Sequence, residues 1–281
     1  GFELLTAVSA DFLASQLSGS SYVVAASATA VLSIDSTAAG LAAKAVDLAT
    51  IDLSGLQFAD SNVSTVVNVS TIDGARFVST QSFTITGSDA VDVVTGSANA
   101  DNISGGAGDD QLDGAAGNDV INGGAGADVI TGGTGADVMT GGAGADVFEF
   151  STNGSVSGTS LDVITDFNVG GVDQLGFGAT AVLLAAETNG TTATSDVDIS
   201  AGGLISFAAA DDTLAEKIVA IQADAQLDAV NSVGFFVDGA NTYVYYAGAA
   251  TGNGDDQIIE LSGITSLTTM TILAGGDVTI A

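Results

Sequence analysis

From Gly87 the chain reads GSDAVDVVT, GSANADNIS, GGAGDDQLD, GAAGNDVIN, GGAGADVIT, GGTGADVMT and GGAGADVFE, seven consecutive nonapeptides that close at Glu149. The sixth position is Asp in all seven, namely Asp92, Asp101, Asp110, Asp119, Asp128, Asp137 and Asp146. The eighth is always apolar: Val94, Ile103, Leu112, Ile121, Ile130, Met139 and Phe148. Positions one, two and four are mostly Gly, and the first two units, which lack the inner glycines, read as degenerate entry repeats. A strict short period of this kind marks a solenoid, because one unit cannot bury its apolar side without stacked neighbours.

Each unit pairs a Gly-rich six-residue turn with three residues of strand, whose alternation points the central apolar side chain inward. Glycine suits such turns because they use positive φ and crowd the backbone. Two units make one coil of 18 residues, so residues 18 apart stack about 4.8 Å apart in adjacent rungs. This sets Asp92 over Asp110, Asp101 over Asp119, Asp110 over Asp128, Asp119 over Asp137, and Asp128 over Asp146. Carboxylates that close repel by on the order of 3 kcal/mol per pair at an effective dielectric near 20. A cation between them is therefore expected. Carboxylates and turn carbonyls are hard oxygen donors without nitrogen or sulfur, which favours Ca²⁺ over Zn²⁺ or copper, while Mg²⁺ holds its waters more tightly. The bland alternative, a metal-free Gly/Asp turn array, is opposed by both the period and the charge.

Composition agrees with a cation partner. The 281 residues carry 34 Asp plus Glu against Lys44, Arg76 and Lys217, a net charge of −31 with no His. Nucleic acid is excluded as a partner for want of clustered cations. Disorder fits poorly with 46% hydrophobic residues and a mean hydropathy of +0.47. Cysteine and proline are both absent, which removes disulfides and thiolate sites and leaves turns to Gly, Asn and Asp. No apolar run approaches the roughly 18 residues of a spanning helix, so membrane insertion is not expected. Gly1-Phe2-Glu3 opens without an initiator Met or a charged region before an apolar core, so no N-terminal signal peptide is expected and the chain reads as part of something longer. Without His or Cys there is no zinc HExxH motif, Ser-His-Asp triad or thiol nucleophile, and 6% aromatics with no Trp suit a glycosidase cleft poorly. The expectation is a non-enzyme.

The fold expected is mainly all-β: a parallel β-roll solenoid over 87–149, a β-rich N-terminal cap over 1–86, and a C-terminal β domain over 150–281 with one or two helices. Upstream, short helices are expected near 10–16 and 38–48, with strands at 66–69, 76–79 and 83–86, a cap or a solenoid continuing into the repeats. Downstream, Thr213 and Glu216 form a capping box for a helix burying Leu214, Ile218 and Ile221. Strands at 233–238 and 242–247 flank Gly239-Ala240-Asn241 as a hairpin, and 257–261 supplies another strand. Asp109, Asp113, Glu149, Asp255 and Asp256 are expected to be solvated. Val120, Val129, Val138 and Val147, at position seven, should point outward, either as exposed strand residues or as ridges under a partner; exposure above about half in all four would remove the partner.

The pattern GGxGxDxUx resembles the hemolysin-type calcium-binding repeat of RTX proteins, which form a parallel β-roll on binding Ca²⁺. The likeness covers seven nonapeptides, 63 of the 281 residues. It implies ions between successive turns, each taking turn carbonyls and the sixth-position Asp from both. The central site would use Gly106, Gly108 and Asp110 with Gly123, Ala125 and Asp128. Its neighbours would use Ala115, Gly117 and Asp119 with Gly132, Thr134 and Asp137, and Gly124, Gly126 and Asp128 with Gly141, Ala143 and Asp146. Two further sites depart from the glycine pattern: Ser97, Asn99 and Asp101 with Gly114, Ala116 and Asp119, and Ser88, Ala90 and Asp92 with Gly105, Ala107 and Asp110. The segment DVITDF…VDQL resembles the piece that closes RTX rolls, where Asp166 and Asp173 would complete a terminal site left open by Gly133, Gly135 and Asp137. About five or more Ca²⁺ ions are implied.

The C-terminal hairpin and QIIELSGITSL resemble the export region of type I secretion substrates, which implies a secreted, extracellular or cell-surface protein and the type I machinery as a partner. The Ala/Thr/Val/Gly-rich composition is similar to that of bacterial S-layer proteins, which implies a structural module that self-assembles into a surface layer. The alternative is the calcium-binding and secretion module of an RTX exoenzyme, toxin or adhesin.

Overall fold

The computed structural model describes residues 82–87, 89–150, 161–168, 172–178, 197–200, 203–207, 213–223, 231–248, 256–265, 267, 269–273 and 277–280, with the backbone of strands at 3–5, 9–11, 22–24, 30–33, 50–52, 57–58, 65–68 and 182–183. The protein is mostly β, with a β-solenoid of about four turns and, among the described residues, one helix. The chain divides into two compact units, Gly1–Asp146 and Val147–Ala281.

In the first unit the repeats coil as their period dictates. Thr84–Thr86, Asn102–Ala107, Val120–Ala125 and Val138–Ala143 lie side by side in one parallel sheet. Asp92–Thr95, Gln111–Asp113 and Val129–Thr131 form the other. Asn102 pairs with Val120, Val120 with Val138, and Gln111 with Val129, so every partner is one 18-residue coil away. Position eight points inward throughout: Val94, Ile103, Leu112, Ile121, Ile130 and Met139 are buried, with Ile85 continuing the row. Each such side chain stabilises the coil by about 1.5–3 kcal/mol.

The strands of the first sheet are longer than the repeat alone suggests. Asn102–Ala107, Val120–Ala125 and Val138–Ala143 run on through positions one to three of the next turn. Gly106, Gly124 and Gly142 take φ of 112°, 110° and 103° there, a conformation open to glycine that lets the backbone turn without leaving the ladder. In the other sheet the strand stops at position nine, and pairing resumes only at the bridge between Ala116 and Thr134. At one level the break has a local cause: Asp113 Oδ1 accepts the Ala115 N–H at 2.9 Å.

Upstream of the repeats the solenoid continues. Thr65–Asn68 pairs in parallel with Asp92–Thr95, Ala30–Ser33 with Thr65–Asn68, Ser9–Asp11 with Ala30–Ser33, and Thr50–Asp52 with Thr84–Thr86. These coils are longer and irregular, which is why periodicity does not reveal them. The expected helix near 10–16 is corrected in part, since Ala10 and Asp11 lie in a strand; a parallel partner at Leu32 and Ser33 overrides the weak helical preference of a short segment. The expected helix at 38–48 and strand at 76–79 lie outside the described residues.

In the second unit Val147–Glu149 pairs with Gln174–Gly176. Ser232–Asp238 and Asn241–Tyr246 form the hairpin, extended by Gln257–Leu261, beside which Asp162–Ile164 runs parallel. The turn is tighter than expected, because Asn241 pairs with Asp238 and leaves only Gly239 and Ala240 to reverse the chain, with Gly239 at φ 59°. The helix Leu214–Ala223 starts at its capping box: the Thr213 N–H donates to Glu216 Oε2 at 3.0 Å, and the Glu216 N–H donates to Thr213 Oγ1 at 3.3 Å. Ile218 and Ile221 pack with Phe236, Tyr243, Tyr245 and Ile258, and Lys217 pairs with Asp238.

Asp256 is a correction to the expectation of a solvated carboxylate. It is buried, and it accepts from Tyr245 Oη–H at 2.9 Å and from the Gly248 N–H at 3.1 Å. Those partners come from the strand Asn241–Tyr246 and the residues just after it and could not be read locally. No described helix is long and apolar enough to cross a membrane.

Candidate metal centre

Every sixth-position carboxylate is buried: Asp92, Asp101, Asp110, Asp119, Asp128, Asp137 and Asp146 expose 3% or less. Coil register decides where one oxygen goes. The Oδ1 atoms of Asp110, Asp119, Asp128, Asp137 and Asp146 each accept the backbone N–H of the Asp one coil earlier, at 2.7–2.9 Å. These are charge-assisted bonds between rungs.

The other oxygen is different. Oδ2 of Asp110, Asp119 and Asp128 is buried and has no hydrogen-bond partner. An orphaned buried carboxylate oxygen is costly unless a cation meets it. Position-one glycines open the space beside it. A methyl on Gly105 would collide with Asp110 Oδ2 and stand 2.7 Å from Gly123 O; one on Gly123 would collide with Asp128 Oδ2 and stand 2.7 Å from Gly141 O. At Gly114 the same point is crowded by Asp119 Oδ2 and by Gly132 O. In each case the free carboxylate oxygen therefore faces the gap toward the following rung.

Main-chain carbonyls also project from each turn toward the following one. Gly106 O and Gly108 O project against Gly124 and Gly126, Ala115 O and Gly117 O against Gly133 and Gly135, and Gly124 O and Gly126 O against Gly142 and Gly144. From the following rung Ala125 O, Thr134 O and Ala143 O point back and accept the N–H of Gly108, Gly117 and Gly126 at 2.8–2.9 Å, each keeping a second lone pair. Among the described residues no three His, Cys, Asp or Glu side chains converge on one point. Cation binding here must therefore combine one or two carboxylates with carbonyls, a hard oxygen set that fits Ca²⁺. An ion held there would supply the positive charge that the buried carboxylates lack.

Burial pushes the carboxyl of Asp110 up to about 8, that of Asp119 to about 7 and that of Asp128 to about 6, and it raises Asp137 as well. Burial is the largest cause in each, and at Asp110, Asp119 and Asp128 neighbouring carboxylates add a smaller upward push. Stacking repulsion, the sequence-based reason for a cation, is thus the smaller part; loss of water is the larger.

The family model of the RTX calcium-binding nonapeptide repeat matches residues 86–121 and 113–148. The chain carries RTX repeats. A search of curated proteins finds no match to the chain. The match spans the RTX roll alone, and the stacked carboxylates just described are the sixth-position Asp of its units.

The RTX roll departs from uniformity at its start. Asp101 Oδ1 accepts the Phe83 N–H at 2.8 Å, and its Oδ2 accepts the Ser97 N–H at 2.6 Å. Ser97 Oγ accepts the Asn99 N–H at 3.1 Å. Ser97 O accepts from Ala116, Asn99 O projects against Gly117, and Gly114 O against Gly96, so the carbonyls of that level are in place although its carboxylate is engaged. Around Asp92, Ala90 O projects against Gly108 and Gly105 O against Gly87; Ser88 and its contacts lie outside the described residues.

At the far end, Gly133, Gly135 and Asp137 belong to the first unit and Asp166 and Asp173 to the second. Asp173 is buried in a local exchange in which its Oδ2 accepts the Asn168 N–H at 2.5 Å and its own N–H donates to Asn168 Oδ1 at 2.9 Å. Asp109 and Asn118 do work that sequence reasoning missed: their Oδ1 atoms accept the Ala127 and Ala136 N–H at 2.8 and 3.1 Å, holding one turn to the next. Their shared fifth position, 18 residues before each donor, was the available signal. Val120 and Val138 are exposed, at 48% and 37%, and Val129 and Val147 are partly buried, so exposure does not reach the level that would remove a covering partner.

Proposed function

We propose that this RTX chain is a calcium-dependent structural and assembly module of a secreted bacterial cell-surface protein of S-layer type, without catalytic activity, that folds when it meets calcium outside the cell. The observation that carries this is the row of buried carboxylates whose second oxygen, at Asp110, Asp119 and Asp128, has no partner and lies at the gap where a carbonyl of the following rung also points. Without a cation those groups oppose the coil, because burial disfavours their charged form. With extracellular sites near 10⁻⁴ M, millimolar calcium contributes about 1.4 kcal/mol per site. At sub-micromolar cytosolic calcium that gain vanishes, which leaves the repeats unfolded for a type I exporter.

The S-layer reading over a toxin or exoenzyme is supported by the Ala/Thr/Val/Gly-rich, Cys-free and nearly Lys-free composition. Circular dichroism of the full chain in chelator and in millimolar calcium tests the folding reading, and equal β content and thermal midpoint in both would refute it. Scattering and electron microscopy of the calcium-loaded protein test the assembly reading: two-dimensional arrays are expected, and a strictly monomeric, array-free protein would favour a toxin or exoenzyme module.

A further inference from the structure

The entry level of the roll differs from the later ones in one atom. In the gaps above Asp110, Asp119 and Asp128 a buried Oδ2 awaits a partner, whereas Asp101 Oδ2 is occupied by the Ser97 N–H at 2.6 Å. The cause lies at position two. Gly106, Ala115, Gly124, Gly133 and Gly142 hold positive φ there, between 72° and 112°, and Ser97 does not. Ser97 stays out of that region, which is costly for residues with a Cβ although Ala115 enters it, and the Ser97 amide turns to the carboxylate four residues on. An N–H aimed at that oxygen satisfies the acceptor that the later rungs leave open and lowers the cost of burying the charge, so this rung does not need a cation. Asp101 Oδ1 is bound as well, by the Phe83 N–H. Both oxygens are thus engaged by the chain itself.

We propose that the gap between Asp101 and Asp119 holds no calcium, and that Phe83, Ser97 and Asp101 instead seal a calcium-independent rung on which the calcium-dependent rungs are laid. Along the row Asp101, Asp119 and Asp137, calcium loading then begins with the gap above Asp119. The upstream strands Thr50–Asp52 and Thr65–Asn68, which pair with Thr84–Thr86 and Asp92–Thr95, join the metal-free rung to a solenoid that also lacks the nonapeptide. Asp101 is a positioning residue for the roll's first coil rather than a ligand. The inference rests on the calcium reading of the repeats and divides their carboxylates into two kinds.

The test counts calcium bound by the full chain in equilibrium dialysis. Asp101→Asn is expected to bind as many ions as the unsubstituted chain, and Asp128→Asn to lose at least one. An equal loss in both overturns the inference while leaving the calcium reading intact; an unsubstituted chain that binds no calcium overturns the calcium reading itself. Hydrogen exchange on the unsubstituted chain needs no folded variant. On adding chelator, the Phe83 and Ser97 amides are expected to keep protection while those of Asp110 and Asp119 lose at least tenfold. Loss of all four together would refute a calcium-independent rung.

Discussion

Asp128→Asn separates the two roles of a stacked carboxylate, because the substitution keeps the shape and the Oδ1 acceptor for the Asp110 N–H but removes the charge. Burial pushes this carboxyl from 3.8 to about 6. A raised folded value means stability that is complete below the unfolded pKa and lost as pH rises through the folded one. At pH 7.5 without calcium the unsubstituted chain therefore carries a penalty of about 3 kcal/mol at this residue, two units at roughly 1.4 kcal/mol each. Asparagine removes that penalty. In 1 mM calcium the sign reverses. Asp128 faces one gap with Oδ2 and borders the preceding one with Oδ1, so one or two sites at about 1.4 kcal/mol each are lost. The variant should thus be more stable than the original in chelator and less stable in calcium. The measurement is unfolding followed by circular dichroism in both buffers, with the excluded osmolyte TMAO added to drive folding wherever the ion-free roll is unfolded. Destabilisation of the same size in both buffers would refute the reasoning, because the carboxylate would then act by packing alone.

In chelator, acidification from pH 8 to pH 4.5 should raise β content, since Asp110, Asp119 and Asp128 regain protons as pH falls through about 8, 7 and 6; in calcium the same acidification should weaken ion binding, and circular dichroism reads both. Gly135→Ala should destabilise the roll by roughly 1–3 kcal/mol, because Gly135 has φ 144° and a methyl there would overlap Gly117 O. Ala115→Gly should act oppositely, gaining roughly 0.5–1 kcal/mol by relieving an alanine at φ 72°; chemical unfolding in calcium checks the pair. Thr213→Ala should cost about 1 kcal/mol through the lost cap, equally with and without calcium, as read by denaturant midpoints.

Periodicity carried the roll and little else. The 18-residue coil, the inward row from Val94 to Met139 and the capping box at Thr213 follow from local pattern, because each depends on residues a fixed distance apart. The coils upstream of Thr84 have no constant length, so their pairing is set by tertiary contacts. Asp256 illustrates the same limit, because its acceptor role depends on Tyr245 across a sheet.

Within the candidate site the limit is finer. Counting sixth-position Asp residues makes all seven equivalent, and stacking repulsion makes them all need a cation. The structure distinguishes them by the residue four places earlier. Where that residue holds positive φ, as at Gly106, Ala115 and Gly124, Oδ2 of Asp110, Asp119 and Asp128 is left to a cation; where Ser97 stands, its amide satisfies Asp101. Seen this way, the positive φ at position two serves more than the turn. It keeps that residue's N–H from the carboxylate at Asp110, Asp119 and Asp128, and under the proposed calcium reading it is the pairing of that backbone conformation with Asp, rather than the Asp alone, that makes a rung depend on calcium.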